Sequence, residues 1–350
     1  MIDLITPKLL GNRPNTYTLT KALAESQFEI DSVGLPVIVV RPSIVGAMWK
    51  SPLPGWTDNI NGPTGIMVGV GKGVLTNMCG NIDSKADIIP VDIVANMIIV
   101  CGAHRATSHY DAIPILHCAS GDLNPLKWGK LVNFLPQFYK KYPMEQCFGV
   151  PSSHFHRFRN GFLFNYYYKH YFPAKLLDMV QTVVGGKSNN VRLYGKIWKM
   201  IEALHFFTTR GWDFKSQALP ALLEKMHPED KEEFNFDIRQ VNWDSYLFDY
   251  IMGIKRYILK ENFESLPQAK YNLNILRFKR ILVQSAAWYL IVRTFGSNWK
   301  TQKKWLVWLG GFVGTHMYLD MDFRKTIHMK SLEEYKKTMN FTPPESRSQA

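Results

Sequence analysis

The sequence predicts an α/β domain followed by a mainly helical domain and an apolar, membrane-associated tail. Three observations predict it. Helix-like and strand-like segments alternate over residues 1–145, an aromatic-rich stretch with little strand character follows, and two apolar runs stand near the C-terminus. Residues 16–30 read as a helix, with Leu19, Leu23 and Phe28 able to share a core face and Gly34, Leu35 and Pro36 ending it. The run PVIVVRPS is too continuously β-branched for a half-exposed strand and is expected to be buried on both faces, as in a parallel sheet.

Pro52 to Gly73 is rich in glycine and proline and reads mostly as loop. In DIIPVDIVANMIIVCGAH a short strand gives way to a helix, with Asp92 placed as its N-cap. PILHCAS is a further strand, and NPLKWGKLVNFLPQFYKKYP a helix cut at Pro136. Residues 146–265 form the helical domain. Its last part reads as a loop, then an amphipathic helix with Tyr246, Tyr250 and Ile254 on one face.

The tail segment, 275–322, holds the runs ILVQSAAWYLIV and WLVWLGGFVGTHMYL, each shorter than the roughly 20 residues that cross a bilayer. Arg277, Lys279 and Arg280 flank the first run, and Arg293, Lys300, Lys303 and Lys304 lie between the two. With tryptophans at 288, 299, 305 and 308, this pattern suits a re-entrant hairpin, an interfacial anchor or a short span. Buried core helices are the competing expectation. Residues 323–350 read as a polar tail.

A 350-residue chain with 46% hydrophobic and 13% aromatic residues is not disordered. Its net charge of +13 points to anionic partners: nucleic acid, phospholipid headgroups or a phosphorylated cofactor. No nucleic-acid partner is expected, because the basic residues run along the whole chain and none of the usual recognition motifs is present. Cys79, Cys101, Cys118 and Cys147 stand far apart without a CxxC pair, the pattern of reduced thiols in an intracellular compartment. His154 and His156 have no acidic or cysteine neighbour, so no metal site is expected. The stretch after Met1 has neither the layout of a signal peptide nor a strand–glycine opening.

PNTYTLTKALAE sets Tyr17 and Lys21 four residues apart at the start of the first helix, and therefore on one face. With 16 tyrosines, roughly one such pair arises by chance, so a shared surface face is the bland alternative. A second pair, Tyr171 and Lys175, has Pro173 inside it, which argues against a continuous helix there. The chemistry open to such a pair is carbonyl reduction: hydride goes to carbon and a proton to oxygen. A tyrosine can give that proton, and a nearby ammonium stabilises the phenolate left behind. The glycine-rich GPTGIMVGVGKGV does not match a phosphate loop: five residues separate Gly65 from Gly71, and Gly73 stands where Ser or Thr should follow Lys72. It reads as a flexible loop.

Several long segments together resemble the alcohol-forming fatty acyl-CoA reductases of the extended short-chain dehydrogenase/reductase superfamily. These are PNTYTLTKALAE, LPVIVVRPSIVGAMWKSPLPGWTDNINGPTG, GKGVL, ADIIPVDIVANMII and HPEDKEEFNFDIRQVNWDSYLFDYIMGIKRYILKE, agreeing in order and spacing over about residues 1–300. The resemblance implies NADPH-dependent reduction of a long-chain acyl-CoA to an aldehyde and then to a primary alcohol. It implies Tyr17 as proton donor, Lys21 as its partner and ribose ligand, and Pro42, Ser43 and Ile44 lining the nicotinamide.

It also implies the C-terminal part of a Rossmann-like NAD(P)-binding domain, since the family's glycine-rich fingerprint belongs upstream of the tyrosine. The expectation is a chain lacking that half-domain, with a non-catalytic form that binds membrane or acyl chains as the alternative. An intracellular membrane is expected, peroxisomal or of the endoplasmic reticulum, with the catalytic domain in the cytosol. Acyl length and oligomeric state stay open.

Overall fold

The computed structural model describes residues 8–186, 189–320 and 326–339. The first seven residues of the predicted α/β domain and half of the polar tail lie outside it. Helix α1 (Thr16–Asp31) starts at Asn15, whose side chain accepts the Thr18 amide at 2.9 Å and so satisfies one open donor of the first turn. Gly34, at φ 80°, turns the chain out of it. Strands β1 (Val39–Pro42) and β2 (Ile44–Gly46) are one extended run broken at Ser43.

Helix α2 (Pro63–Gly71), β3 (Asn77–Cys79), β4 (Ile88–Pro90), α3 (Val91–Thr107), β5 (Ile115–Cys118), α4 (Trp128–Lys141) and β6 (His154–His156) follow. All pairing among these strands is parallel: Val39 opposite Ile115 in β1–β5, Ile44 opposite Ile88 in β2–β4, and Asn77 opposite His154 in β3–β6. The β3–β6 pair crosses the boundary placed after residue 145, and one continuous core joins residues from both sides of it.

Parallel pairing is as expected, here in three two-stranded sheets, but burial on both faces of the first strand is not. Val39, Val40 and Arg41 are half-buried and Pro42 is exposed. The reason lies in its neighbours. β1 pairs with β5 alone, and α1 buries none of its own residues, leaving Leu23 (59%) and Phe28 (53%) exposed rather than on a core face.

Two other corrections concern helices. The expected loop at 63–71 is α2, whose Ile66, Met67 and Val70 are buried. Pro136 does not cut α4, which runs through it. An interior proline costs about 3 kcal/mol. Seven buried side chains, Leu131, Phe134 and Phe138 among them, outweigh it at roughly 1.5–3 kcal/mol each.

Beyond β6 the chain is helical: α5 (Arg159–Tyr166), a π turn (Tyr167–Tyr171), α6 (Phe172–Val183), α7 (Asn190–Thr209), α8 (Ala218–Glu224) and α9 (Pro228–Glu233). Pro173 does not break the helix as expected. It falls in the first turn of α6, directly after the π turn, where a missing N–H is tolerated. Helix α10 (Trp243–Gly253) is buried on every face rather than amphipathic, with nine of its 11 residues inside. Tyr246 donates to the Ala47 carbonyl at 2.8 Å, and Tyr250 and Thr64 share a hydrogen bond of 2.7 Å. A Cβ at Gly253 has no room against the Gly55 backbone, so these two glycines permit the crossing of α10 with the loop after β2.

The two apolar runs fall in a hairpin of α11 (Leu266–Phe295) and α12 (Thr301–Asp320), and α13 (Leu332–Met339) follows. Trp308 donates to the Ser285 carbonyl and Trp288 to Thr315, both at 3.1 Å, which fixes the register of the hairpin. Buried core helices are not what forms: Val283 (68%), Phe295 (77%) and Leu306 (70%) face outward. Among the described residues no helix is long and apolar enough to cross a membrane.

Candidate active site

Tyr17 stands in the first turn of α1, and the Lys21 ammonium lies 5.8 Å from the centre of its ring. The shared face expected from the spacing is therefore real. Both side chains are exposed, Tyr17 at 63%. Pro42, Ser43 and Ile44 lie where the extended run changes partner. The Ser43 amide donates to the Cys118 carbonyl and the Ile44 amide to the Asp87 carbonyl, each at 3.0 Å. This is the carboxyl end of β1, the position at which open α/β sheets seat ligands.

The Ser43 hydroxyl is buried and without a hydrogen-bond partner among the described residues. A buried hydroxyl left so costs about 1–3 kcal/mol, which a polar ligand group would relieve. That orphaned atom fits the amide-bearing ring of a nicotinamide.

Three residues that sequence reasoning did not select hold this junction. Asp87, buried and at φ 47°, accepts the Ser120 amide at 2.9 Å and the Gly121 amide at 3.1 Å, closing the end of β5 against β4. Glu25 of α1 accepts from Arg41 of β1 at 2.9 Å and is the tie between the helix bearing Tyr17 and the strand bearing Pro42. The hydrogen bond from Arg41 holds the Glu25 carboxyl below its ordinary range, and the same pair raises Arg41. With side chains 41% and 37% exposed, the pair contributes at most about 1 kcal/mol.

Asp92 does not cap α3, where Pro90 takes the N-cap position. Its carboxylate accepts the Trp49 and Lys50 amides, both at 2.9 Å, and fixes the loop leaving β2. The sequence signal for Asp87 and Asp92 was their place on either side of β4 in ADIIPVD, but nothing there shows which amides they face.

A Cβ at Gly71 would lie 2.5 Å from Met144 and 2.6 Å from Tyr139, so that glycine serves helix packing. His156 pairs with Asn77 at 2.9 Å, and among the described residues no group of three metal-ligating side chains forms. The four cysteines are unpaired. Burial pushes Cys101 up to about 11 and Cys118 up to about 12, which keeps both thiols protonated and unreactive.

An NAD-binding family model described as male sterility protein matches residues 1–98, and a second model of the same description matches 169–261. The chain is 38% identical over 297 residues to fatty acyl-CoA reductase 1 of Rattus norvegicus, across 84% of this chain and 57% of that protein. It is 39% identical over 295 residues to fatty acyl-CoA reductase 2 of Mus musculus, with the same coverage. The chain carries matches to both male sterility protein models and is a relative of the fatty acyl-CoA reductases. It spans a little over half the length of those relatives, 57%. Fatty acyl-CoA reductase 1 of Homo sapiens is 36% identical over 297 residues. The NAD-binding match takes in all five predicted site residues, Tyr17, Lys21, Pro42, Ser43 and Ile44, as well as Asp87 and Asp92. The second match takes in α6 to α10, of which α7, α8 and α10 contribute buried side chains to the continuous core.

Proposed function

We propose that this chain acts in the NADPH-dependent reduction of a long-chain fatty acyl-CoA to a primary alcohol through an aldehyde. The observation that carries the reading is the Tyr17–Lys21 pair on one helical face, inside the NAD-binding match and tied by Glu25 and Arg41 to the strand end that carries the unpartnered Ser43 hydroxyl. The relatives' names supply the substrate class, and the net charge of +13 suits the extra phosphate of NADPH and the phosphates of coenzyme A. A bound nicotinamide would supply hydride to the thioester carbon.

Tyr17 gives its proton to the carbonyl oxygen as the C–H bond forms, and Lys21 stabilises the phenolate that remains. The resulting hemithioacetal loses coenzyme A as its thiol to give the aldehyde. A second hydride and proton complete the alcohol, so two reduced cofactors are consumed per acyl chain. Ser43 would hydrogen-bond the ring's amide and orient it.

The exposed apolar faces of α11 and α12 support association with an intracellular membrane as an interfacial anchor or re-entrant hairpin. The peroxisome or endoplasmic reticulum, with the sheet domain in the cytosol, fits four reduced cysteines.

The test is palmitoyl-CoA-dependent NADPH oxidation with product analysis, comparing the chain with Tyr17→Phe. Loss of rate by about 10²-fold or more at unchanged melting temperature supports the assignment. Equal rates overturn it. One observation favours the second reading, a non-catalytic form that binds membrane or acyl chains: α1 buries nothing, and Tyr17 is 63% exposed rather than enclosed. That reading predicts vesicle binding with no alcohol formed by either version.

A further inference from the structure

Between the end of α4 and the start of α11 lies an open cleft of about 680 Å³, with residues 326–329 along its rim. Lys140 and Lys141 project from the last turn of α4. Lys270, Leu273, Asn274 and Arg277 line the opposite wall, at the i, i+3, i+4 and i+7 spacing that puts them on one face of α11. Four cations thus converge from two helices, and no acidic side chain lines the cleft. Among the described residues none of the four makes an ion pair with a carboxylate.

Such a cluster opposes folding through like-charge repulsion, and only half of it has a local reason to be there. Lys140 and Lys141 complement the negative end of the α4 dipole. Lys270 sits barely one turn into α11, at the helix end that favours anions, so nothing local rewards its charge.

What lies further along the same helix identifies the anion. Beyond Arg277, α11 turns exposed and apolar, through Leu282, Val283, Tyr289 and Phe295, and the facing helix α12 adds Trp305, Leu306 and Leu309. From Arg277 to Phe295 is about 27 Å of helix at 1.5 Å per residue. The cationic cleft is therefore the root of an outward-facing apolar hairpin, the order of groups met on passing from phosphate level into acyl chains.

The geometry points to this cleft as a site for the phosphate of an anionic phospholipid headgroup, engaged when the hairpin lies against a bilayer. The inference rests on the membrane association proposed above and adds the lipid class and the residues that read it. A soluble phosphate compound such as coenzyme A offers the same chemistry, but it has no use for the apolar hairpin beside the cleft.

The experiment is flotation of the chain with vesicles of phosphatidylcholine alone or with roughly one part in five phosphatidylserine. It is repeated with Lys140→Gln/Lys141→Gln, with Lys270→Gln/Arg277→Gln, and with Lys270→Arg/Arg277→Lys. Expected is tighter binding to the anionic vesicles, weakened about tenfold or more by each glutamine pair and kept by the charge-preserving pair, with neutral-vesicle binding unchanged. A preference that survives both glutamine pairs, or equal binding to the two vesicle types, overturns the cleft assignment and leaves membrane association standing. Binding to neither vesicle type overturns both. Coenzyme A binding that the glutamine pairs abolish, with flotation unaffected, assigns the cleft to a soluble phosphate and overturns the lipid reading. Lys140, Lys141 and Lys270 are exposed and Arg277 is half-buried, and circular dichroism melts check that each variant is folded.

Discussion

Helices α1 and α10 belong to one chain and are held in opposite ways. α1 has 16 residues and buries none of them; an Asn15 cap and one part-exposed ion pair to β1 are what tie it. α10 has 11 residues and buries nine, packed against α4, the loop after β2 and α13. At 16 residues α1 is barely longer than the roughly 12–15 below which an isolated helix is marginal in water. The residues proposed for chemistry sit on the weakly held element, and the well-held element carries none of them. The difference separates what positions the molecule from what the site does: α10 fixes the loop leaving β2, while α1 offers its face outward.

Phe248→Ala in α10 is the most severe way to test this contrast. Phe248 is fully buried among Phe138, Tyr142 and Tyr335, and its removal should cost about 3–5 kcal/mol in urea unfolding. A loss under 1 kcal/mol would remove the contrast altogether.

An intermediate effect belongs to His170, in the π turn, where it is buried against the Tyr194 ring and bonded to Thr76 at 2.9 Å. Burial, helped by the neighbouring Lys169, lowers its pKa to about 4. The unfolded chain therefore takes up the proton first as pH falls from about 6.5, and stability should drop by up to roughly 3 kcal/mol on reaching pH 4. Carboxylates titrate in the same range, so the measurement is the difference between wild type and His170→Gln. A flat difference would place this histidine outside the tightly held region.

The smallest effects should come from α1. Leu23→Ala and Phe28→Ala should each change the unfolding free energy by no more than about 0.5 kcal/mol, as surface substitutions do. A cost of 2 kcal/mol or more in the 350-residue chain would show that some other surface covers this face in solution.

Much of the site was legible before folding, because its signal is local. The four-residue spacing of Tyr17 and Lys21 needs only a helix to become a shared face, and Asn15 nucleates that helix. The β-branched run ending in Pro42-Ser43-Ile44 needs only a parallel partner to place Ser43 at a strand end. What was not legible depends on residues far away in sequence. Asp92 reads as an N-cap until the Trp49 and Lys50 amides arrive, and GPTGIMVGVG reads as a loop until Tyr139 and Met144 pack on Gly71. The cationic cleft joins Lys140 to Arg277 across 137 positions (277 − 140), a distance at which sequence patterning is silent.

By itself the sequence determined most of the element types and the parallel strand pairing, which follow from patterns within a turn or a strand, and its motifs carried the resemblance to the reductases. Only the tertiary structure decided that β1 has one strand partner, that Pro136 and Pro173 leave their helices continuous, and that α10 is enclosed while α1 is not. Each of those outcomes is set by how much apolar surface a distant segment covers, and covered surface is a property of the folded chain that no local window contains.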